Sequence, residues 1–396
     1  MFGEINPRTK ARAPFITIEE ALEETRRGHM IILMDDEQRE NEGDLSMAAE
    51  KVTPEAINFM ARFARGLICL PMAADRIDRL GLSMMVGDNQ APLGTAFTTA
   101  ITARRCAGKG ISAQDRATTV LQAVREDASG GEFITPGYIY PLRAREGGVL
   151  VRTGQTEGAV DLARLAGLKP AGVICEILKD DGNMARRDDL VEFARVHGLK
   201  IVTVADIIEY RLRTETMVQK IAEARLPTRY GNFKAIVYRN LVDYTEHLVL
   251  VMGNVDPQRP ILVRAHREYL PGDVFGFTGR NTRELLRSAM ERIARAGEGV
   301  LLYLKRESNA IASELEGFGG HHGNSKRPST RYGATESDFR DYGIGAQILR
   351  DIGVRKMIIM SDATPRLANL PGYGLEIVDS VPLSTTNGKR TSAANG

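Results

Sequence analysis

Cysteine is scarce in this chain of 396 residues: Cys69, Cys106 and Cys175 are the only thiols, and none follows Cys175. They are widely spaced and form no CxxC pair, which excludes a disulfide framework. Two lie in apolar runs, Leu67-Ile68-Cys69-Leu70 and Val173-Ile174-Cys175, and read as small buried side chains. A reduced, cytoplasmic protein is expected from this usage. No apolar stretch approaches the ~20 residues that a membrane span needs, and the N-terminus has no signal-peptide core. Charge of one sign is also lacking: 53 Lys and Arg against 51 Asp and Glu give a net +2, so neither bulk nucleic-acid binding nor an acidic tail is indicated. Tryptophan is missing altogether, which excludes nothing. What remains, 43% hydrophobic and 26% charged residues, is ordinary for a globular chain long enough for two or three domains.

Against that plain background one segment stands out. Asp35-Asp36-Glu37-Gln38-Arg39-Glu40-Asn41-Glu42-Gly43-Asp44 holds six acids in ten residues. It follows the apolar run Met30-Ile31-Ile32-Leu33-Met34, which reads as a buried strand. Carboxylates crowded in this way repel one another, and a divalent cation or cationic partner is the usual reason to keep them together. Arg39 offers an anion contact and Gly43 a tight turn. A Mg²⁺-dependent site for a phosphorylated substrate is one reading, and a solvated acidic loop the other.

From Ile16 to about Arg213, short apolar runs alternate with amphipathic stretches. Thr17-Ile18-Glu19-Glu20 looks like a capped helix start, and Pro54–Arg65 a helix with proline in its first turn. Further helices are expected at Asp115–Glu126, Thr156–Ala166 and Asp188–His197, with strands at Gly66–Pro71, Gly172–Leu178 and Leu199–Val204. The pattern predicts a mixed α/β (α+β) domain over residues 1–213 and a second α/β domain over 214–396. Near the boundary, Glu215–Arg225 has helical composition. Strands then follow at Phe233–Tyr238, Leu248–Met252, Ile261–Val263, Val300–Leu304 and Lys356–Met360, with helices at Thr282–Ala296 and Gly343–Ile352. Glycine-rich Glu314–Tyr332 reads as loop.

Four segments join the acidic loop: Gly66–Pro71, Gly94-Thr95-Ala96-Phe97-Thr98, Gly110–Thr119, and Lys169-Pro170-Ala171-Gly172-Val173-Ile174-Cys175-Glu176. The third places hydroxyls and an arginine at a helix start, where free N–H groups favour a phosphate. The fourth ends a strand in a carboxylate. Together, and above all through Arg39-Glu40-Asn41-Glu42-Gly43-Asp44 and Ile111-Ser112-Ala113-Gln114-Asp115-Arg116, residues 15–212 resemble 3,4-dihydroxy-2-butanone 4-phosphate synthase.

That resemblance implies a Mg²⁺ (or Mn²⁺) enzyme that enolises ribulose 5-phosphate, rearranges its skeleton and expels one carbon as formate. It implies that Arg39 contacts substrate, that Glu40 binds metal, and that Asp44 contacts a substrate hydroxyl or moves a proton. Arg152, Thr153, Gly154, Gln155 and Thr156 would hold the phosphate side, and Glu176 would be an essential acid/base. Arg152 could instead pair with Glu176, and Thr156 could merely cap its helix. Two positions where the family carries histidine read Tyr138 and Gln155 here. Tyrosine, with a pKa of about 10, is a poor proton shuttle near neutral pH, whereas an amide oxygen at Gln155 remains a possible Mg²⁺ ligand. A homodimer with sites at the subunit interface is also implied.

Residues 220–383 are similar to GTP cyclohydrolase II, through Leu226–Phe233, Val263–Tyr269, Gly272–Gly276, Arg340–Gln347 and Gly372–Leu375. The family's three zinc cysteines are replaced by Tyr269, Arg280 and Thr282, and its GTP-contacting segment reads Arg306–Ala312. Asp338 and Arg340 match the family's general base and nucleophile. His321-His322, in the glycine-rich stretch, reads as a solvated pair. The expectation is therefore a Mg²⁺-dependent synthase with no zinc and no GTP hydrolysis. The alternative is an altered or inactive relative that binds sugar phosphate or nucleotide, or scaffolds a partner.

Overall fold

The computed structural model describes residues 14–35, 39–91, 93–106, 110–279, 282–305, 336–361 and 370–383, with the backbone alone for 336–342 and 371–372. The chain divides into two compact units, Met1–Arg211 and Leu212–Gly396.

In the first unit the strands are β1 (Ile31–Met34), β2 (Gly43–Ala48), β3 (Cys69–Met72), β4 (Ile101–Ala103), β5 (Phe133–Arg143), β6 (Gly172–Glu176) and β7 (Ile201–Thr203). The helices are α1 (Ile18–Arg27), α2 (Pro54–Phe59), α3 (Ala74–Arg79), α4 (Ala113–Ala123), α5 (Gln155–Leu165), α6 (Arg187–His197) and α7 (Val204–Thr214). Local signals set most helix starts. Thr17 and Glu20 cap α1 reciprocally, the Glu20 N–H donating to Thr17 Oγ1 at 3.2 Å and the Thr17 N–H to Glu20 Oε2 at 2.9 Å. Pro54 opens α2, and α6 stops at the left-handed Gly198.

Among the described residues the strands form one mixed sheet in the order β4-β5-β3-β6-β2-β1-β7. Residues directly opposite one another on neighbouring strands share a face. Leu33, Asp44 and Glu176 form such a row across β1, β2 and β6. Alternate residues Ile32, Met34, Leu45, Met47 and Cys175 point the other way, into a core with Ile57, Met60, Val120 and Leu190. Helix α5 packs on the Leu33 face, its Gly158 against Leu33. The strand alternation that builds the core thus also sets two carboxylates side by side next to α5.

The second unit contains β8 (Val218–Thr228), β9 (Gly231–Asn240), β10 (Glu246–Met252), β11 (Ile261–Arg267), β12 (Gly299–Leu304), β13 (Lys356–Met360) and β14 (Glu376–Val381). Its helices are α8 (Leu270–Asp273), α9 (Thr282–Ala296) and α10 (Glu336–Asp351). The sheet order is β14-β13-β11-β12-β10-β9-β8, parallel as far as β12 and antiparallel beyond it. Phe233, Leu250, Ile293, Leu301 and Met360 form its core.

The helix expected at Glu215–Arg225 is instead the strand β8, paired with β9 from Val218↔Asn240 to Thr228↔Gly231. Its alanine, lysine and glutamate favour a helix in isolation, but a long hairpin ladder, interrupted by a register shift between Lys220 and Ala222, outweighs a propensity of a few tenths of a kcal/mol per residue. Glu314–Tyr332, His321-His322, Arg306–Ala312, Arg280 and Asp36–Gln38 lie outside the described residues. Asp338 and Arg340 fall in the part of α10 described by backbone alone. No helix among the described residues is long and apolar enough to cross a membrane.

Candidate active site

The acids at the two ends of the acidic loop are buried. Asp35 is 1% and Asp44 4% exposed. Asp35 organises the turn: Oδ1 accepts the Glu42 N–H at 2.9 Å, and Oδ2 accepts the Glu40 N–H at 3.2 Å and Arg39 Nη1 at 2.7 Å. The left-handed backbone at Asn41 completes the bend. From outside, Arg186 donates to the carbonyls of Glu40 and Asn41 and to Glu42 Oε1. Neither Asp35 nor Arg186 could be singled out from sequence, because one is an acid among six and the other lies 144 residues from Glu42.

This turn presents Arg39, and Nη1 of its guanidinium also reaches Glu40 Oε2 at 2.5 Å and Gln155 Oε1 at 3.1 Å. Burial opposes the charge on Arg39, yet its bonds to Asp35 and Glu40 hold it above the usual guanidinium range. Gly154, the N-cap of α5, passes between two guanidiniums. A Cβ there would stand 2.5 Å from Arg152 Nη1 and 3.0 Å from Arg39 Nη2. Arg39, Arg152, Gly154 and Gln155 are thereby brought together at the start of a helix whose free N–H groups and dipole attract anions. Thr156 is buried inside α5, and Thr153 is half-buried just before it. Thr156 is not the cap.

Arg152 does not pair with Glu176 among the described contacts. Its Nη1 reaches Glu157 Oε2 at 2.6 Å, its Nη2 Thr95 Oγ1 at 3.0 Å, and its Nε the Leu93 carbonyl at 3.2 Å. Glu157, 1% exposed, also accepts the Arg145 N–H at 3.1 Å. Burial raises the Glu157 carboxyl above its ordinary range, against the pull of Arg152. The sequence reading missed Glu157. Its signal was an acid inside an otherwise small and apolar helix stretch, Gly158-Ala159-Val160, where a buried charge needs a partner.

Asp44 and Glu176 are register partners on β2 and β6. Burial pushes Asp44 well above the usual carboxylate range, and the charges of Glu176, Glu40, Glu42 and Asp35 add to the shift. Burial likewise raises Glu176, although the Leu67 N–H, 2.8 Å from Oε2, favours its charged form. Glu42 is raised by burial and by Glu40. Such a cluster has too little positive charge beside it, and hard oxygen donors suit Mg²⁺. Among the described residues no three His, Cys, Asp or Glu side chains converge as a closed cage. Mg²⁺ commonly needs only one or two carboxylates, with substrate oxygens and water completing its shell, so Glu40 beside this cluster fits it.

Gly66 is fixed by this geometry. A Cβ on it would meet the Glu176 carbonyl at 2.4 Å and Glu176 Oε2 at 2.6 Å. Gly66→Ala is expected to destabilise the fold by about 1–3 kcal/mol, as overpacking does. It should also lower activity by moving Glu176. Urea unfolding together with steady-state turnover checks both effects, and an unchanged protein would contradict this geometry.

Among the described residues, Tyr138 makes no hydrogen bond to this cluster. It is 46% exposed, its N–H donates to Thr102 Oγ1 at 3.1 Å, and its ring lies against Gly110. In the second unit, Tyr269 is buried, its N–H donating to Asp273 Oδ2 at 2.9 Å, and Thr282 is buried at the start of α9. Cys69, Cys106 and Cys175 are free and buried, and burial raises all three thiols.

Residues 19–210 match the family model of 3,4-dihydroxy-2-butanone 4-phosphate synthase, and residues 219–382 that of GTP cyclohydrolase II. A riboflavin biosynthesis protein RibBA of Aquifex aeolicus is 50% identical over 382 residues, covering 93% of this chain and 92% of the relative. A RibBA of Bacillus cereus is 45% identical over 93% of this chain and 94% of its own length. Among solved structures, a two-domain 3,4-dihydroxy-2-butanone 4-phosphate synthase from A. baumannii is similar, with a TM-score of 0.75 and 38% identity, over 93% of this chain and 99% of that one. These matches correct the expectation of a chain without GTP cyclohydrolase activity, and they do not favour the alternative of an inactive relative. The error was to pass from three changed side chains to a lost activity. Tyr269, Arg280 and Thr282 alter a donor set, while the rest of the domain matches the cyclohydrolase model over 219–382.

Proposed function

We propose, from the premise that the chain belongs to the family of riboflavin biosynthesis proteins joining a 3,4-dihydroxy-2-butanone 4-phosphate synthase domain to a GTP cyclohydrolase II domain, that its first unit converts ribulose 5-phosphate to the four-carbon phosphate and formate. The observation that supports this reading is the pairing of the raised carboxyls Asp44 and Glu176, which feel the charge of Glu40, the carboxylate that Arg39 holds. In this reading the N-terminus of α5, with Arg152, Thr153, Gly154 and Thr156, takes the phosphate. Arg39 orients the sugar. Glu40 holds Mg²⁺ or Mn²⁺, which supplies Lewis acidity to the substrate's carbonyl and hydroxyl oxygens. Asp44 and Glu176, whose raised pKa values suit proton transfer nearer neutrality, move protons at the sugar carbons and hydroxyls.

Tyr138 enters the site in this reading only from a second copy of the chain. Exposed Met84, Met85, Val86 and Ile111 in the same unit support such a homodimer. In the second unit we infer no zinc at Tyr269, Arg280 and Thr282, since none supplies a thiolate.

Formate release from ribulose 5-phosphate by the purified full chain, with and without EDTA, tests the reading. Turnover that EDTA abolishes and Mg²⁺ restores is expected. Unaltered sugar phosphate in the presence of Mg²⁺ would overturn it. Elemental analysis of the same sample reads the metal: one zinc per chain would overturn the inference for the second unit.

A further inference from the structure

Gln155 is the first residue of α5 and is only 6% exposed. Its Oε1 accepts from Arg39 Nη1 at 3.1 Å, while its Nε2 is buried with no hydrogen-bond partner among the described residues. A side-chain amide can be turned over, which exchanges its oxygen and nitrogen. Here the neighbour decides, because a guanidinium has only donors to offer. Turning the amide would set its NH2 against Arg39 and lose the one side-chain bond that Gln155 makes among the described residues. Arg39 is itself held by Asp35 and Glu40 and shares the two hydrogens of Nη1 among three acceptors, so the oxygen of Gln155 faces a guanidinium that is fixed in place. What the amide has left is the donor Nε2 and one lone pair on an oxygen that faces a guanidinium, a poor place for a cation.

Buried donors are nearly always paired in folded proteins, and one left unpaired beside a binding site marks the place of a missing acceptor. The surroundings say which acceptor fits. Arg39 Nη2 and Arg152 Nη1 flank the neighbouring Gly154, so the space beside Gln155 favours an oxygen-rich, anionic ligand. The carboxylates nearby are already engaged: Glu40 with Arg39, and Glu157 with Arg152.

We infer that Gln155 is a substrate-orienting residue, its Nε2 donating to a sugar oxygen of the bound sugar phosphate, and that the divalent metal is held without it. This rests on the sugar-phosphate reading of the first unit. It assigns the amide to substrate rather than to the metal shell, and it makes Arg39 the residue that fixes the amide's orientation.

Two variants of the full chain test it, each with two separate readouts. Mn²⁺ binding to the substrate-free protein is followed by electron paramagnetic resonance, and KM and kcat for ribulose 5-phosphate by formate release. Gln155→Leu should leave the Mn²⁺ dissociation constant within about twofold and raise KM about tenfold, the loss of one hydrogen bond. Gln155→Glu keeps an oxygen for Arg39 and the side-chain shape but removes the donor, so it should raise KM at least as much. A Mn²⁺ affinity about tenfold weaker in Gln155→Leu would make the amide oxygen a metal ligand and overturn the inference. An unchanged KM in both variants would assign the donor to water and overturn it equally. Wild-type protein that binds Mn²⁺ but not ribulose 5-phosphate would instead sink the functional reading of the unit, with the Mn²⁺ comparison still deciding whether Gln155 ligates metal.

Discussion

Replacing Glu176 by glutamine is expected to lower kcat for formate release by about 10²–10⁴-fold, the range that a positioned general acid or base supplies. KM should change little. Glutamine preserves the volume of the side chain, and its oxygen can still accept the Leu67 N–H that holds Glu176 Oε2 at 2.8 Å. What it loses is the exchangeable proton. Burial raises the Glu176 carboxyl above the ordinary value of 4.5, with Glu40 adding to the shift and the backbone N–H groups of Glu176 and Leu67 opposing it. The acidic limb of the wild-type pH–rate profile should therefore lie above that value, with activity rising as pH rises through the folded-state pKa. Steady-state formate release across pH 4–9 tests both points, and a Glu176→Gln enzyme of wild-type rate would remove Glu176 from the chemistry.

Asp44→Asn should separate stability from activity. Burial is the largest cause of the raised Asp44 pKa, followed by the charges of Glu176, Glu40, Glu42 and Asp35. A carboxyl raised in the folded state binds its proton more tightly there than in the unfolded chain. Its contribution to stability is then fully present below the unfolded pKa of about 3.9 and is lost as pH rises through the folded pKa. Toward alkaline pH, folding must either bind a proton at Asp44 or bury a charge there, and asparagine removes that cost. In EDTA, Asp44→Asn is expected to have a higher Tm than wild type at pH 8, while formate release is abolished. The gap should close toward pH 4. A Tm equal to or below wild type at pH 8 would mean that the cluster is neutralised within the fold.

These expectations show which parts of the molecule were legible in the sequence. Elements set by local chemistry were readable: the capped start of α1, Pro54 at the head of α2, Gly198 at the foot of α6, and the apolar strand ending at Met34. So was the segment that carries the proposed site, because six acids around one arginine repel one another unless something holds them together. Non-local facts were not readable. Asp44 looked like the end of a loop, but it lies in the strand Gly43–Ala48, whose identity depends on partners 11 and 132 residues away, Leu33 and Glu176. Arg152 was given Glu176 as a possible partner, whereas the fold supplies Glu157 from the same helix start. Glu215–Arg225 carried helical residues into a hairpin whose ladder only the second strand could reveal. Each miss is a contact decided by pairing across the sheet or by burial, neither of which a short window of sequence contains.

The central claim is that the carboxylates and guanidiniums gathered around α5 make a metal-dependent carbon–carbon lyase of the first unit. Uniformly ¹³C-labelled ribulose 5-phosphate, incubated with the purified chain and Mg²⁺ and followed by carbon NMR, tests it most directly. Formate and a four-carbon phosphate should appear in equal amounts, and both should vanish with Glu40→Gln. Persistence of the five-carbon sugar as the only labelled species, or formate release that survives Glu40→Gln unchanged, would contradict the claim.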